Sequence, residues 1–426
     1  PTLSCAMDFT RYLAAEWKPA LGCTEPASIA DATALAAAAG SGPVRSVHLV
    51  CDPRMYKNCY AVGIPHSEHK TGIQWTVAIG ALLPDPAAEL ECFRDITPAI
   101  LEQAQQLIES GTVTVGVDAA RSDLYVDSRV VREKGVGRAV LEGGHTRVAQ
   151  LERDGQPCDL PAVLGSEEAD ASSALAEELA TLDFDAAISL ARAITPDDRA
   201  RLRDGCELNL AIARHGLSLF PKSFMDLIGV DQMTRISRLV CAGVYARMSG
   251  EDFTVMTLAG SGNKGITVAV PLTLWGQEAL VTAEEVEEAL ALACLITSQT
   301  TLRLGTLSAA CGCASAAGIG LAVGLVLLQG GGTDAMSLAV NNMVGNVTGM
   351  ICDGAKMGCG LKTMTSVDAA FRAASLAMAG VGIPATDGIV SRHGQGSLDN
   401  LERIAQRGMA AMDAEILNIM QEKLRQ

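Results

Sequence analysis

Aromatic side chains are scarce: the 426 residues include three tryptophans, five tyrosines and seven phenylalanines. Hydrophobic residues still make up 49% of the chain, so the core must be built from Ala, Val, Leu, Ile and Met. Side chains this small let helices approach closely, which predicts extensive helix–helix packing. Positive charge is also short, with 33 Lys and Arg against 49 Asp and Glu, a formal net charge of −16. That balance argues against nucleic acid and anionic membrane as partners. It also demands a locally positive pocket for any anionic substrate. The opening residues "PTLSCAMDFTRYLAAEW" lack a basic region followed by an apolar run, so no signal peptide is read. A disulfide framework is missing too. The 13 cysteines are odd in number and scattered, which reads as reduced thiols in a cytoplasmic protein. No repeat of the solenoid or propeller kind is evident.

Charge is absent altogether from Leu304 to Thr333, a stretch long enough to span a bilayer. Its Gly, Ala, Ser and Cys content predicts instead a helix buried on all sides in a soluble protein. There is no second such span, and no membrane is expected.

The pattern along the chain predicts an α+β protein. Residues 1–42 form an N-terminal helical arm, with a helix opening near Pro26 and Cys23 just ahead of it. Residues 43–165 alternate in the manner of strands at Val44–Asp52, Thr112–Asp118 and Leu124–Val131, with helices between them. Gly143-Gly144 marks a two-residue hairpin in this mixed α/β domain. From 166 to 426 the strand signals nearly stop, and a large, mainly helical domain follows.

Eight cysteines stand singly in ordinary contexts and read as packing. "CDGAKMGCG" differs, because it is too rich in glycine for a plain helix and carries both Cys352 and Cys359. A loop of this kind can aim backbone N–H groups at cluster sulfur. The tight knuckle of a zinc site is absent. On spacing alone a metal or cluster site and a set of core thiols both remain open.

Five segments, "LGCTEPASIA", "YKNCYAVGIP", "AGSGNKGI", "ACGCASAAGIG" and "NNMVGNVTGMICDGAKMGCGLK", occur in that order. Together they resemble the L-cysteine desulfidase family, which is related to the alpha chain of the iron–sulfur L-serine dehydratases. The resemblance runs from Leu21 to about Ala379. It implies a [4Fe–4S] cluster and elimination of sulfide from L-cysteine to give pyruvate, ammonia and hydrogen sulfide. Its cluster thiolates fall on Cys311, Cys352 and Cys359. Cys313 lies two residues from Cys311 and competes with it for that place. In a regular helix the two point to different sides. The serine dehydratase branch carries a cysteine at its C-terminal end, whereas this chain ends "LNIMQEKLRQ".

β-Elimination needs a stabilised leaving group, a base and a grip on the amino acid. A cluster with three protein ligands leaves one iron open for the substrate sulfur. Cys23, before a helix N-terminus, is the expected base, as a thiolate favoured by the helix dipole; a fourth ligand or a buried thiol is the alternative. Glu25 is a second candidate base or a helix cap. Lys264, Ser261 and Asn263 in "AGSGNKGI" suit a substrate carboxylate, as do Lys57 and Asn58 in "YKNC". Asn342 and Asn346 share one helix face and are candidate substrate contacts. The competing readings are a serine or threonine dehydratase with the same cluster, a pyridoxal-phosphate enzyme built on Lys264, and a non-catalytic cluster sensor. A small amino acid is the expected ligand, and a homodimer through Gly/Ala faces the expected assembly.

Overall fold

The computed structural model describes residues 7–121, 123–158, 174–226, 231–305 and 308–424. A mixed α/β layer occupies the N-terminal part and a large, mainly helical body follows. Each has its own apolar core.

The six-stranded sheet runs in the order Val113–Val117, Ser41–Cys51, Tyr125–Lys134, Val136–Glu142, Val148–Arg153, Gln156–Pro157. The first pair is parallel, with Val47 opposite Val113, and needs the helical crossover between its strands. The other pairs are antiparallel. Helix Thr24–Ala38 lies on this sheet and is buried along nearly its whole length. Gly137 makes that approach possible, since a Cβ there would stand 1.8 Å from the Ala36 carbonyl oxygen. Ser128 Oγ donates to Thr33 Oγ1 at 2.9 Å across the same interface.

In the helical body, Gly312–Leu328 is the central rod. It packs against Gly262–Glu278, Ala283–Leu304, Thr333–Val347 and Cys359–Met378. Its 17 residues are the core of the uncharged stretch, and Ala and Gly let four neighbours close around it. Among the described residues no helix is long and apolar enough to cross a membrane.

The two parts are laced together. Helix Phe9–Glu16, capped by Asp8, belongs to the helical core: Tyr12 Oη meets Ser298 Oγ at 2.8 Å, and Trp17 Nε1 donates to the Arg201 carbonyl. Strand Pro19–Leu21 then pairs with Thr254–Met256, and only after it does the chain enter the α/β layer. The helix Met412–Leu424 returns to that layer, where Asp413 accepts from Arg54 and Lys57.

One local reading differs from the structure. Gly143-Gly144 opens a five-residue connection, 143–147, rather than a two-residue hairpin. Within "AGSGNKGI", Gly262 starts a helix that runs through Pro271 to Glu278. The chain's last two helices are Gly394–Arg403 and Met412–Leu424, with a π turn, Ile404–Gly408, after the first.

Candidate functional site

Two segments distant in sequence bring the cysteines together. Ala310 and Ile351 form an antiparallel bridge. Cys311 N donates to the Met350 carbonyl at 2.8 Å and Cys352 N to the Ala309 carbonyl at 2.7 Å. Cys311 and Cys352 are thereby fixed side by side. Cys359 opens the next helix, and its thiol faces the Gly354 carbonyl at 3.6 Å. The loop between is shaped by Gly354, at φ +99°, and braced by Asp353, which pairs with Lys356 and Lys362. Burial works to raise the Asp353 carboxyl, but the two lysines outweigh it and hold it down to about 2.

Cys313 is placed differently from the sequence expectation. Cys311 is the residue before the helix and its backbone is extended, so helical spacing does not separate the pair. The Cys311 thiol donates to Cys313, which keeps the proton on Cys311 and favours its loss from Cys313, with Lys264 and Arg247 acting the same way. Cys313 also meets Ser261 Oγ at 3.6 Å. The sulfurs of Cys311, Cys313, Cys352 and Cys359 lie within electrostatic reach of one another. Backbone N–H groups of Gly354 and Lys356 point to Cys352 and Cys359. Burial pushes the Cys359 thiol up to about 12.

Beside these sulfurs is a small hollow of about 70 Å³. Glu25, Asn58 and His145 enter it from the α/β layer. Ser261, Lys264, Cys313 and Cys352 enter it from the helical body. Glu25 accepts at both oxygens, from the Cys23 thiol at 3.0 Å and from Asn58 Nδ2 at 3.1 Å. Lys264 Nζ donates to the Ala259 carbonyl at 3.0 Å, and its stem passes Gly312. Burial depresses its ammonium, against the pull of Cys313, Glu16, Glu25 and Cys311.

Other expected site residues are placed elsewhere. Cys23 stands behind Glu25 and does not line the hollow. Burial first, then the Glu25 carboxylate, pushes its thiol well above the ordinary range, with Arg247 opposing. The helix dipole is outweighed, and Cys23 is a neutral thiol here. Lys57 is 1% exposed and spent on the Cys352 carbonyl at 2.8 Å and Asp413 at 2.6 Å. Asn263 accepts from Arg247 Nη1 at 3.0 Å. Asn342 binds backbone groups of Ala373, Val381 and Ile383, tying a helix to a loop. Asn346 lines a larger open surface depression of about 390 Å³ with Asp368 and Arg372, which holds none of the other candidates. The smaller hollow, where the chemistry converges, is the candidate site.

Two residues escaped the sequence reading. His145 lines the hollow from the 143–147 connection. Arg247 is 1% exposed, reaches Thr24 and Asn263, and makes no ion pair with a described carboxylate. With Lys264 it provides the positive locality that an acidic chain needs for an anionic ligand.

Relatives cover nearly the whole chain. A UPF0597 protein of Geobacter sulfurreducens is 37% identical over 420 residues, 95% of this chain and 96% of its own. UPF0597 proteins of Oleidesulfovibrio alaskensis and Nitratidesulfovibrio vulgaris are 36% and 34% identical, covering 98% and 97% of this chain and 99% of each of theirs. The family described as serine dehydratase alpha chain matches residues 125–418.

The chain belongs to the UPF0597 proteins of the serine dehydratase alpha chain family.

The matched region contains His145, Ser261, Lys264 and all four clustered cysteines. Glu25 and Asn58 lie before it, so the family match covers only part of the hollow's lining.

Proposed function

We propose that the protein is a lyase that eliminates sulfide from L-cysteine, with a [4Fe–4S] cluster held by Cys311, Cys352 and Cys359. One observation carries the reading. A carboxylate, an amide and an imidazole from one layer meet a lysine, a hydroxyl and two thiols from the other in a single hollow.

Four cysteine sulfurs within electrostatic reach of one another are a donor set that suits a cluster. A cluster binds each cysteine through a different iron, so its thiolates surround the group rather than converge on a point. Backbone N–H groups aimed at Cys352 and Cys359 are the contacts that tune such sulfur. When bound, the cluster supplies an open iron as a Lewis acid for the departing sulfur.

The chain's own residues do the rest. Glu25, oriented by Cys23 and Asn58, takes the substrate ammonium. Ser261 and Lys264, at the start of helix Gly262–Glu278, take the carboxylate, in the positive field that Arg247 strengthens. Withdrawal of charge from the carboxylate makes the α-proton more acidic.

A dehydratase acting on L-serine or L-threonine is the second reading, favoured by the family match. Anaerobic assay of both substrates decides. The expected result is sulfide and pyruvate from L-cysteine with the larger kcat/KM. An equal or larger value for L-serine moves the protein to the dehydratase reading. Purified protein without iron or acid-labile sulfide, after anaerobic reconstitution, overturns the cluster.

A further inference from the structure

His145 is the lining group whose reactive atom has no partner. It stands in the middle of the 143–147 connection, and its carbonyl accepts from Ser28 Oγ, which ties it to the helix of Glu25. Its ring lies beside Gly260, where a Cβ would come 3.5 Å from Cε1 and Nδ1. One edge of the residue is part-exposed, but Nε2 is sealed from solvent and makes no hydrogen bond. The other basic groups of the hollow are engaged: Glu25 accepts at both oxygens, and Lys264 donates to Ala259. Leaving a buried polar atom without a partner is costly, and native proteins do so rarely. A ligand in the hollow would supply the missing partner.

Resting on the lyase reading above, we propose that His145 Nε2 takes the α-proton of the bound amino acid. Burial holds the ring below its ordinary range against the pull of Glu25, and Lys264 acts with burial, so the imidazole is neutral and able to accept. His145 belongs to the α/β layer and the cysteines to the helical body. The proton acceptor and the leaving-group site therefore sit on different walls.

The step balances. The proton passes from Cα to Nε2, and the Cα–H electron pair becomes the second Cα–Cβ bond. The Cβ–S bond breaks, and its pair leaves with sulfur as hydrosulfide. The resulting aminoacrylate shifts to the imine, and water hydrolyses it to pyruvate and ammonium. The imidazolium returns its proton to hydrosulfide, giving hydrogen sulfide.

The test compares wild type, His145→Gln, His145→Gly and Cys23→Ser, all prepared without oxygen, with L-cysteine as substrate. In His145→Gln, kcat should fall by about 10²–10⁴, with KM within about threefold and iron per chain unchanged. Free imidazole should restore His145→Gly at least about tenfold, a rescue that a folding defect would not show. His145→Gln with the wild-type kcat overturns the proposal. So does a raised KM at constant kcat, or iron loss in both His145 variants without rescue by imidazole. If Cys23→Ser alone abolishes turnover, the base is Cys23 and His145 is not. A wild type that releases neither sulfide from L-cysteine nor pyruvate from L-serine overturns the lyase reading itself. An active wild type matched by His145→Gln removes only the role of His145.

Discussion

Asp31 lies midway along helix Thr24–Ala38, the element that carries Glu25 at its start. It is 3% exposed, and its Oδ1 is sealed without a partner. Burial first, then the charges of Glu89 and Asp85, raise its carboxyl from 3.8 to about 7, while the Glu89 backbone N–H pulls the other way. The sign follows from proton binding. Between these two values the folded chain holds a proton that the unfolded chain has released, so stability falls as pH rises. The loss begins near the unfolded value and is complete once pH passes the folded one. A shift of about three units corresponds to at most about 4 kcal/mol at pH 8. Asp31→Asn removes the ionisation and offers N–H donors to the neighbouring carboxylates. It should therefore stabilise the protein by about 1–4 kcal/mol at pH 8. Near pH 4 the gain should vanish, since both chains then fold with a neutral side chain. Urea unfolding of wild type and variant from pH 4 to 8.5 measures this. A stability difference that is flat across the range would refute the reasoning.

Lys57→Met breaks a buried ion pair. Arg54 still serves Asp413, so the cost should sit at the low end, about 3 kcal/mol, seen as a fall in Tm of roughly 3–4 °C in a chain of this length; an unchanged Tm would remove Lys57 from the stability argument. Gly354→Ala places a Cβ 2.4 Å from the Lys57 carbonyl oxygen at φ +99°. It should destabilise by about 1–3 kcal/mol and lower iron per chain after reconstitution, and wild-type values for both would show that the loop tolerates the shift. Cys352→Ala and Cys359→Ala should each lose most bound iron while Cys23→Ser keeps it; iron analysis that finds Cys23→Ser equally depleted makes Cys23 a ligand.

Much of the fold was legible because it is local. Alternation marked the strands around Val47, Val115 and Val130, and the uncharged stretch after Leu304 marked the buried helix. The helix Gly262–Glu278 was not legible, because Gly262, Gly265 and Pro271 have low helix propensity. Burial on nearly all sides overrides their propensity. In the candidate site, Glu25, Asn58, Ser261 and Lys264 were legible from polar motifs, and the structure brings them to one hollow. What could not be read depended on contacts far apart in sequence. Lys57 is consumed by Asp413, 356 residues away. Asn342 is committed to residues 31 to 41 positions downstream. Cys313 joins Cys311 because the helix starts one residue later than regular spacing assumes. His145 was visible only as part of a turn, and its ring position follows from how the sheet lies on the helical body.

The lacing of the two layers governs how parts of this protein can be exchanged. Phe9–Trp17 belongs to the helical core although it precedes the α/β layer, and Asp413 and Met420 contact Arg54, Lys57 and Tyr60 although they follow the helical body. A chimera that joins the first 158 residues of this chain to the remainder of a relative thus mismatches three surfaces at once. They are the bed of the first helix, the pairing of Pro19–Leu21 with Thr254–Met256, and the seat of the last helix. Exchanging residues 24–158 together with Met412–Leu424, and leaving Phe9–Leu21 with the helical body, transplants the α/β layer with fewer foreign contacts. Swaps between relatives should follow those boundaries rather than the visible change from strands to helices.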